Sequence, residues 1–329
     1  MVTTFLITPL VEMLANSVGA VDRPTERKVH TKSIPRLGGV AIYLGFLLAS
    51  VLFLSVDREL MGILLGATFI LALGVIDDMK DLSPKVKFLG QLGAAVILIL
   101  SGVQIEFVGN PFGKGLLYLG GWGVFLTLFW VVGLTNTVNF IDGLDGLAAG
   151  VSVIALTTLC YVAHQTGQLG TAMISIALAG SALGFLKHNF HPAKVFMGDS
   201  GSMFLGFMLG AITVQGVMKS VAAIALLVPI VIMGVPIFDT ISAIFRRFRN
   251  KRPVTQADRN HIHHRLLYRG FSHQQTVLII YFWSVLLSMA ALILNFATFM
   301  EKITVFVVLA ILSFFFDKFV GLFEDFRRR

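Results

Sequence analysis

Cysteine and charge are what this chain has least of. Its one cysteine, Cys160, lies inside an apolar stretch, so no disulfide closes within a single chain and no thiolate metal site can form. It reads as a small core residue. Charged residues are only 13% of the 329, against about 25% in soluble domains. That scarcity excludes a globular protein with a mere anchor and leaves no room for a soluble domain.

What is abundant is apolar length. Hydrophobic residues make up 56% of the chain, and the mean hydropathy is +0.84. At about 20 residues per crossing, the length accommodates ten or eleven helices. The expected fold is all-α: a polytopic membrane protein of about eleven transmembrane helices, forming a single domain over 1–329. Spans are predicted near 1–20, 38–56, 60–77, 86–103, 121–138, 147–164, 169–187, 201–217, 221–245, 274–295 and 302–322. The first stretch has no basic leader and no clear small-residue cleavage site, so it reads as a retained helix. Segment 104–120, with Asn110-Pro111 and Gly113, reads as a short external hairpin. Pro229 and Pro236 each remove a backbone donor. They predict a broken ninth span next to Asp239, bent enough to open a groove to lipid.

Basic residues set the orientation. The loops on one side, with the carboxyl terminus, carry 21 Lys or Arg; the opposite loops carry four, Arg58, Lys114, Lys219 and Lys302. Positive charge stays in the cytoplasm, so the amino terminus is expected outside and the carboxyl terminus inside. The net charge of +8 is dispersed over several loops. It reports topology and implies no nucleic acid.

Five polar clusters then fall on the cytoplasmic side. A carboxylate near the hydrocarbon costs about 2.5–3.5 kcal/mol on insertion scales, so such residues rarely sit there without a task. Asp77-Asp78 ends the third span; adjacent side chains diverge and can serve two partners, although aspartates also cap helices. Asn139, Asp142 and Asp145 recur every third residue, which on a helix would put them along one face. Their oxygens suit a hard cation such as Mg²⁺, which shares its shell with substrate phosphates. The segment Phe196-Met197-Gly198-Asp199 leads into the eighth span, where free backbone N–H groups at a helix start would receive an anion. His261, His263 and His264 lack the spacing of a helical zinc pair. With Arg246, Arg247, Arg249, Arg252 and Arg265 close by in sequence, contacts to a nucleotide sugar fit them better, although basic loop residues are also topogenic. A transporter is the competing class, because intramembrane carboxylates also mark ion paths. It expects ionisable groups at mid-bilayer, whereas these gather at the cytoplasmic ends.

Several spaced motifs, in order, resemble one family. PRLGG at 35–39, DDMKDLSPKVKFLGQ, NTVNFIDGLDGLAAG, PAKVFMGDSGSMFLG, PIFDT and HIHHRL at 261–266 are similar to the polyprenyl-phosphate N-acetylhexosamine-1-phosphate transferases, which include MraY, WecA and TagO. The resemblance implies a helical membrane bundle whose cytoplasmic loops build the active site, with a bent ninth helix forming the lipid groove. It implies transfer of a sugar 1-phosphate from a UDP-sugar to undecaprenyl phosphate, with release of UMP. HIHHRL looks like the WecA/TagO branch, which uses UDP-N-acetylglucosamine; the MraY type, acting on UDP-muramoyl-pentapeptide, carries three consecutive histidines where Ile262 intervenes here. Residue by residue, the resemblance implies Asp199 and Asn139 as ligands of Mg²⁺, with Mn²⁺ as a substitute. It also implies Lys87 on the pyrophosphate, Phe196 stacked on uracil, and Asn189, Asp142 and Asp145 on the nucleotide side. Asp77 or Asp78 would approach the acceptor, as base, positioning group or metal holder, and a covalent phospho-aspartate route stays open. His261, His263, His264 and Arg265 would meet the sugar and its phosphates. The implied location is a bacterial cell membrane, at the first membrane step of an envelope polymer such as teichoic acid or O-antigen; a homodimer is left open.

Overall fold

The structure is a computed structural model describing residues 1–22, 33–109, 115–218, 227–249, 261–297 and 299–321. Arg252, Lys114, Lys219 and the turn at Asn110-Pro111 lie outside the described residues. Among those described, thirteen helices and two small antiparallel hairpins follow in order. These are α1 (Val2–Ser17), β1 (Val21–Asp22), β2 (Ile34–Pro35), α2 (Gly38–Phe53), α3 (Arg58–Lys80), α4 (Pro84–Leu100), β3 (Phe107–Gly109) and β4 (Leu116–Tyr118). They continue with α5 (Trp122–Ile141), α6 (Leu147–Gln165), α7 (Leu169–Asn189), α8 (Gly198–Met218), α9 (Leu227–Ile232), α10 (Gly234–Arg249), α11 (Ile262–Tyr268), α12 (His273–Phe296) and α13 (Phe299–Val320).

Each of the eleven predicted apolar stretches contains helix in its described part, although 18–20, 54–56 and 101–103 lie beyond the helix ends. Among the described residues, six helices are long and apolar enough to cross a membrane: α3, α5, α6, α7, α12 and α13. The ninth stretch is divided, as its prolines predict. Met233 separates α9 from α10, between Pro229 and Pro236. Pro236 falls in the first turn of α10, where a missing N–H is tolerated. The HIHHRL segment was not expected to be helical, yet it forms α11.

Local chemistry sets several ends. Asp57 caps α3 by accepting from Leu60 N at 2.7 Å, which supplies one of the donors a helix start leaves unpaired. Pro84 opens α4 behind Ser83, a first-turn position suited to its fixed φ. Ser272 and Gln275 form a reciprocal capping box at the start of α12.

Helix α8 is the axis. Residues 200–215 are buried throughout, and α2, α3 and α5 pack around it. A helix enclosed by others is apolar on all sides, and so is this one. The PRLGG stretch crosses its start: a Cβ on Gly39 would lie 2.2 Å from Gly201 N, so only glycine lets α2 and α8 meet there. Gly38 N and Gly39 N donate to Phe196 O and Met197 O, both at 3.0 Å.

Helix α10 is amphipathic the other way round from a helix in water. Ile241, Ile244, Phe245 and Phe248 face outward, while Asp239, Arg246 and Arg247 are buried. Outward-facing apolar side chains suit hydrocarbon surroundings. The two ends of the bundle differ as well. One carries the β3–β4 hairpin and Arg58, whose Nη2 donates to Leu100 O at 2.7 Å. The other gathers the polar clusters.

Candidate active site

The Asp77-Asp78 pair separates two tasks. Asp78 reaches the first turn of α8: its Oδ1 accepts from Asp199 N at 2.8 Å and its Oδ2 from Ser200 N at 3.1 Å. The helix start expected to receive an anion therefore already holds a carboxylate, for the dipole and orphan-donor reasons that make such ends anion sites. Gly198, at φ 71°, brings the backbone against this carboxylate; a Cβ there would lie 2.4 Å from Asp78 Oδ2. Asp77 turns the other way. Its Oδ1 accepts from Leu82 N at 2.7 Å, and its Oδ2 is ion-paired with the Lys87 ammonium.

Lys87 also lies 3.3 Å from Asp199 Oδ2, so one ammonium bridges two carboxylates from α3 and α8. The amide of Asn139 donates to Asp199 Oδ1 and, at 2.8 Å, to Ser202 Oγ. Four helices thus meet at Asp199. The donors there are carboxylate oxygens and an amide whose half-turn presents a further oxygen, a set suited to a hard divalent cation.

Asn139, Asp142 and Asp145 do not share a helical face. Helix α5 ends at Ile141, Asp142 is its C-cap, and Asp145 lies in the loop before α6. The loop is held by tertiary bonds. Asp145 Oδ2 pairs with His191 Nδ1 at 2.8 Å and accepts from Ala193 N at 3.1 Å. Asn189 is spent as a brace: its Oδ1 accepts from Gly146 N at 3.0 Å and its Nδ2 donates to Val195 O at 2.9 Å.

A cavity of about 360 Å³ opens beside this cluster, lined by Asn139, Asp142, Asp145, Asn189, Phe196, Asp199 and His264. Asp77, Asp78 and Lys87 stand behind its Asp199 wall. Burial, and after it the Asp199 and Asp78 carboxylates, push the Asp142 carboxyl up to about 8, with Arg36 pulling the other way. The same surroundings favour the protonated carboxyl.

The histidines are sorted by depth. His264 reaches the cavity. His263 packs on Gly143, where a Cβ would lie 2.3 Å from its Nε2. Burial, then His264 and His261, hold the His263 ring well below the ordinary histidine range, so it is neutral. His261 is turned toward α10. Arg265, expected to meet substrate, is fully buried at 0% exposure and does not line the cavity, because α11 rotates it inward from its neighbour His264.

Four further ionisable residues line the cavity: Asp22, Arg36, His191 and His273. Arg36, ion-paired with Asp22, stands within PRLGG, and His191 immediately precedes PAKVFMGDSG. Asp22 and His273 carry no local signal. Asp145, His191 and His273 bring one ligand atom each within 4.8 Å. The two rings stack, with centroids 4.2 Å apart and an interplanar angle of 20°. In-plane lone pairs of near-parallel rings run side by side instead of converging on one ion, so this trio forms a wall of the cavity.

Fold and site together define an integral membrane protein with a carboxylate–lysine cluster and a polar cleft at one end of its helices. Residues 60–217 match the family described as glycosyl transferase family 4. The chain is 43% identical, over 99% of its length and 91% of the relative's, to a Bacillus subtilis protein named "Probable undecaprenyl-phosphate N-acetylglucosaminyl 1-phosphate transferase". It is 40% identical, over 86% of its length and 77% of the relative's, to the decaprenyl-phosphate N-acetylglucosaminephosphotransferase of Mycobacterium tuberculosis. It is 29% identical, over 96% and 88%, to the undecaprenyl-phosphate alpha-N-acetylglucosaminyl 1-phosphate transferase of Escherichia coli. The chain belongs to glycosyl transferase family 4.

Proposed function

We propose that this protein transfers N-acetylglucosamine 1-phosphate from UDP-N-acetylglucosamine to undecaprenyl phosphate. The observation that carries the reading is the meeting of Asp77, Lys87, Asn139 and Asp199 beside a cleft bordered by Phe196 and Asp142. It is joined by the shared naming of relatives that align along nearly the whole chain. An oxygen of the lipid phosphate attacks the sugar-bearing phosphorus of the donor. The bond from that phosphorus to the UMP oxygen breaks, leaving a lipid-linked pyrophosphoryl sugar and UMP.

Both reactants are anions, so charge must be neutralised where they meet. Asp199 and Asn139 would hold Mg²⁺, which offsets diphosphate charge and stabilises the leaving UMP. Lys87, kept in place by Asp77 and Asp199, presents a fixed positive charge to the same phosphates. Asp77 is already committed to Lys87 and the Leu82 N–H. A phosphomonoester is mostly dianionic at neutral pH, with a second pKa near about 6, so removing a proton from the acceptor gains little. Asp77 therefore positions the lysine. Phe196 supplies a face for uracil, Asp142 lies on the nucleotide side, and His264 borders the sugar. The outward apolar face of α10 receives the prenyl chain.

Purified protein supplied with UDP-N-acetylglucosamine, Mg²⁺ and undecaprenyl phosphate is expected to release UMP and to leave UDP-muramoyl-pentapeptide unused. Faster turnover of the pentapeptide donor would overturn the sugar assignment; release of UMP from neither donor would overturn the reaction.

The topology belongs to the same reading: eleven spans, amino terminus outside, and the cleft facing the cytoplasm of a bacterial cell membrane. The 21-to-4 basic asymmetry supports it. With Cys160 first replaced by alanine, Tyr118→Cys should react with an impermeant maleimide in intact cells. Lys194→Cys, exposed on the other end, should react only after lysis. The reverse pattern inverts the protein and removes the site from the nucleotide pool.

A further inference from the structure

Asp239 has no part in the site as described so far, yet it is 1% exposed and uses both carboxylate oxygens. Oδ2 pairs with His261 Nδ1 at 2.8 Å, and Oδ1 accepts from Ile262 N at 2.8 Å. These bonds join α10 to the start of α11 across 22 residues of sequence, from the inner face of a helix whose outer face is apolar. His261 is the N-cap of α11 and makes no side-chain cap bond of its own. Asp239 performs that capping from another element, satisfying an N–H that the helix start would leave unpaired.

The chemistry also fixes the ring. An ionised carboxylate can only accept, so the proton lies on His261 Nδ1, and Nε2 is left as the ring's other polar atom. A carboxylate held against one imidazole nitrogen sets the ring's tautomer and orientation. The two bonds together fix where α11 begins. The residues after it then follow: His263 lies on Gly143 beside Asp142, and His264 borders the cavity.

We propose that Asp239 is a positioning residue for the transfer reaction, acting through His261 to set the tautomer of that ring and the placement of α11 over the cleft. The proposal rests on the reading of the histidine segment as part of the donor site. It adds that the buried face of the lipid-facing helix α10 holds that segment in register.

Asp239→Asn keeps an oxygen for Ile262 N–H but replaces the other acceptor by an amide that donates. His261 must then accept at Nδ1 and carry its proton on Nε2. We expect turnover at saturating substrates to fall by about tenfold or more, with the Mg²⁺ concentration for half-maximal rate unchanged. His261→Ala should cost a similar factor. The double variant should be no slower than His261→Ala alone, because an interaction that works through a partner vanishes when the partner is gone. Losses that multiply in the double variant would show that Asp239 acts only on the fold.

A second readout needs no activity. In the ¹⁵N-histidine spectrum of the detergent-solubilised wild type, the resonance lost in His261→Ala should report the Nδ1–H form, and in Asp239→Asn the Nε2–H form. A wild-type His261 protonated on Nε2 alone sinks the proposal even if Asp239→Asn fails to fold. If the wild type showed the expected tautomer but transferred no N-acetylglucosamine phosphate, the functional reading would fail while this pairing stood.

Discussion

Asp199→Asn is expected to lower turnover by roughly 10³-fold, the scale of losing a preorganised charge aimed at the transition state, while the protein stays folded and in the membrane. The fold should survive for a local reason. The α8 start that carries Asp199 is capped by Asp78 through backbone N–H groups, and an asparagine side chain occupies the same volume. What is lost is the anion that Lys87 and Asn139 both engage. An amide in that place offers one neutral oxygen to a divalent cation instead of a charged pair. Wild-type activity should require Mg²⁺ or Mn²⁺ and disappear with a chelator, and Mn²⁺ bound to wild type, read by its paramagnetic signal, should be missing from the variant. Turnover of Asp199→Asn within tenfold of wild type, or full wild-type activity in excess chelator, would remove Asp199 from the metal site.

Lys87→Ala is expected to cost about 10²-fold or more in turnover, on the scale of deleting one electrostatic donor, and to lower the thermal midpoint as well. Without the ammonium, the carboxylates of Asp77 and Asp199 face each other with no counter-charge. Such a pair cannot stay fully ionised at low cost. Lys87→Arg should remain impaired, because a planar fork does not replace a point charge held between two carboxylates. Lys87→Ala with wild-type kcat and KM for both substrates would show the lysine to be structural only.

Helix placement was readable from sequence because it depends on sums over neighbouring residues. Apolar length located α1 to α8, α12 and α13 within a few residues, and two prolines marked the division of the ninth stretch. The β3–β4 pairing followed from turn residues between loosely alternating segments. Helix α11 was missed because its seven residues are too few for a periodic signal, and because its cap is supplied by Asp239 from outside. Much of the candidate site was also legible. Asn139, Asp142, Asp145, Asn189, Phe196, Asp199 and His264 do line one cavity, since each stands at the end of an apolar run on one side.

The sequence by itself determined that this is a polytopic helical membrane protein, where its polar clusters fall between the apolar runs, and which family motifs it bears. Apolar length, helix breakers and loop charge act locally, and their effects add along the chain. Only the tertiary structure decided who partners whom. It gave Asp78 to the first turn of α8 and Asp77 to Lys87, turned Arg265 away from the cleft, and brought Asp22 and His273 into it. Those pairings join residues as far apart as the 121 positions between Asp78 and Asp199. They depend on how each helix is rotated about its axis and how closely two helices cross. That closeness is set by contacts such as Gly39 on Gly201, where the absence of one methyl group on each side decides whether the ends meet.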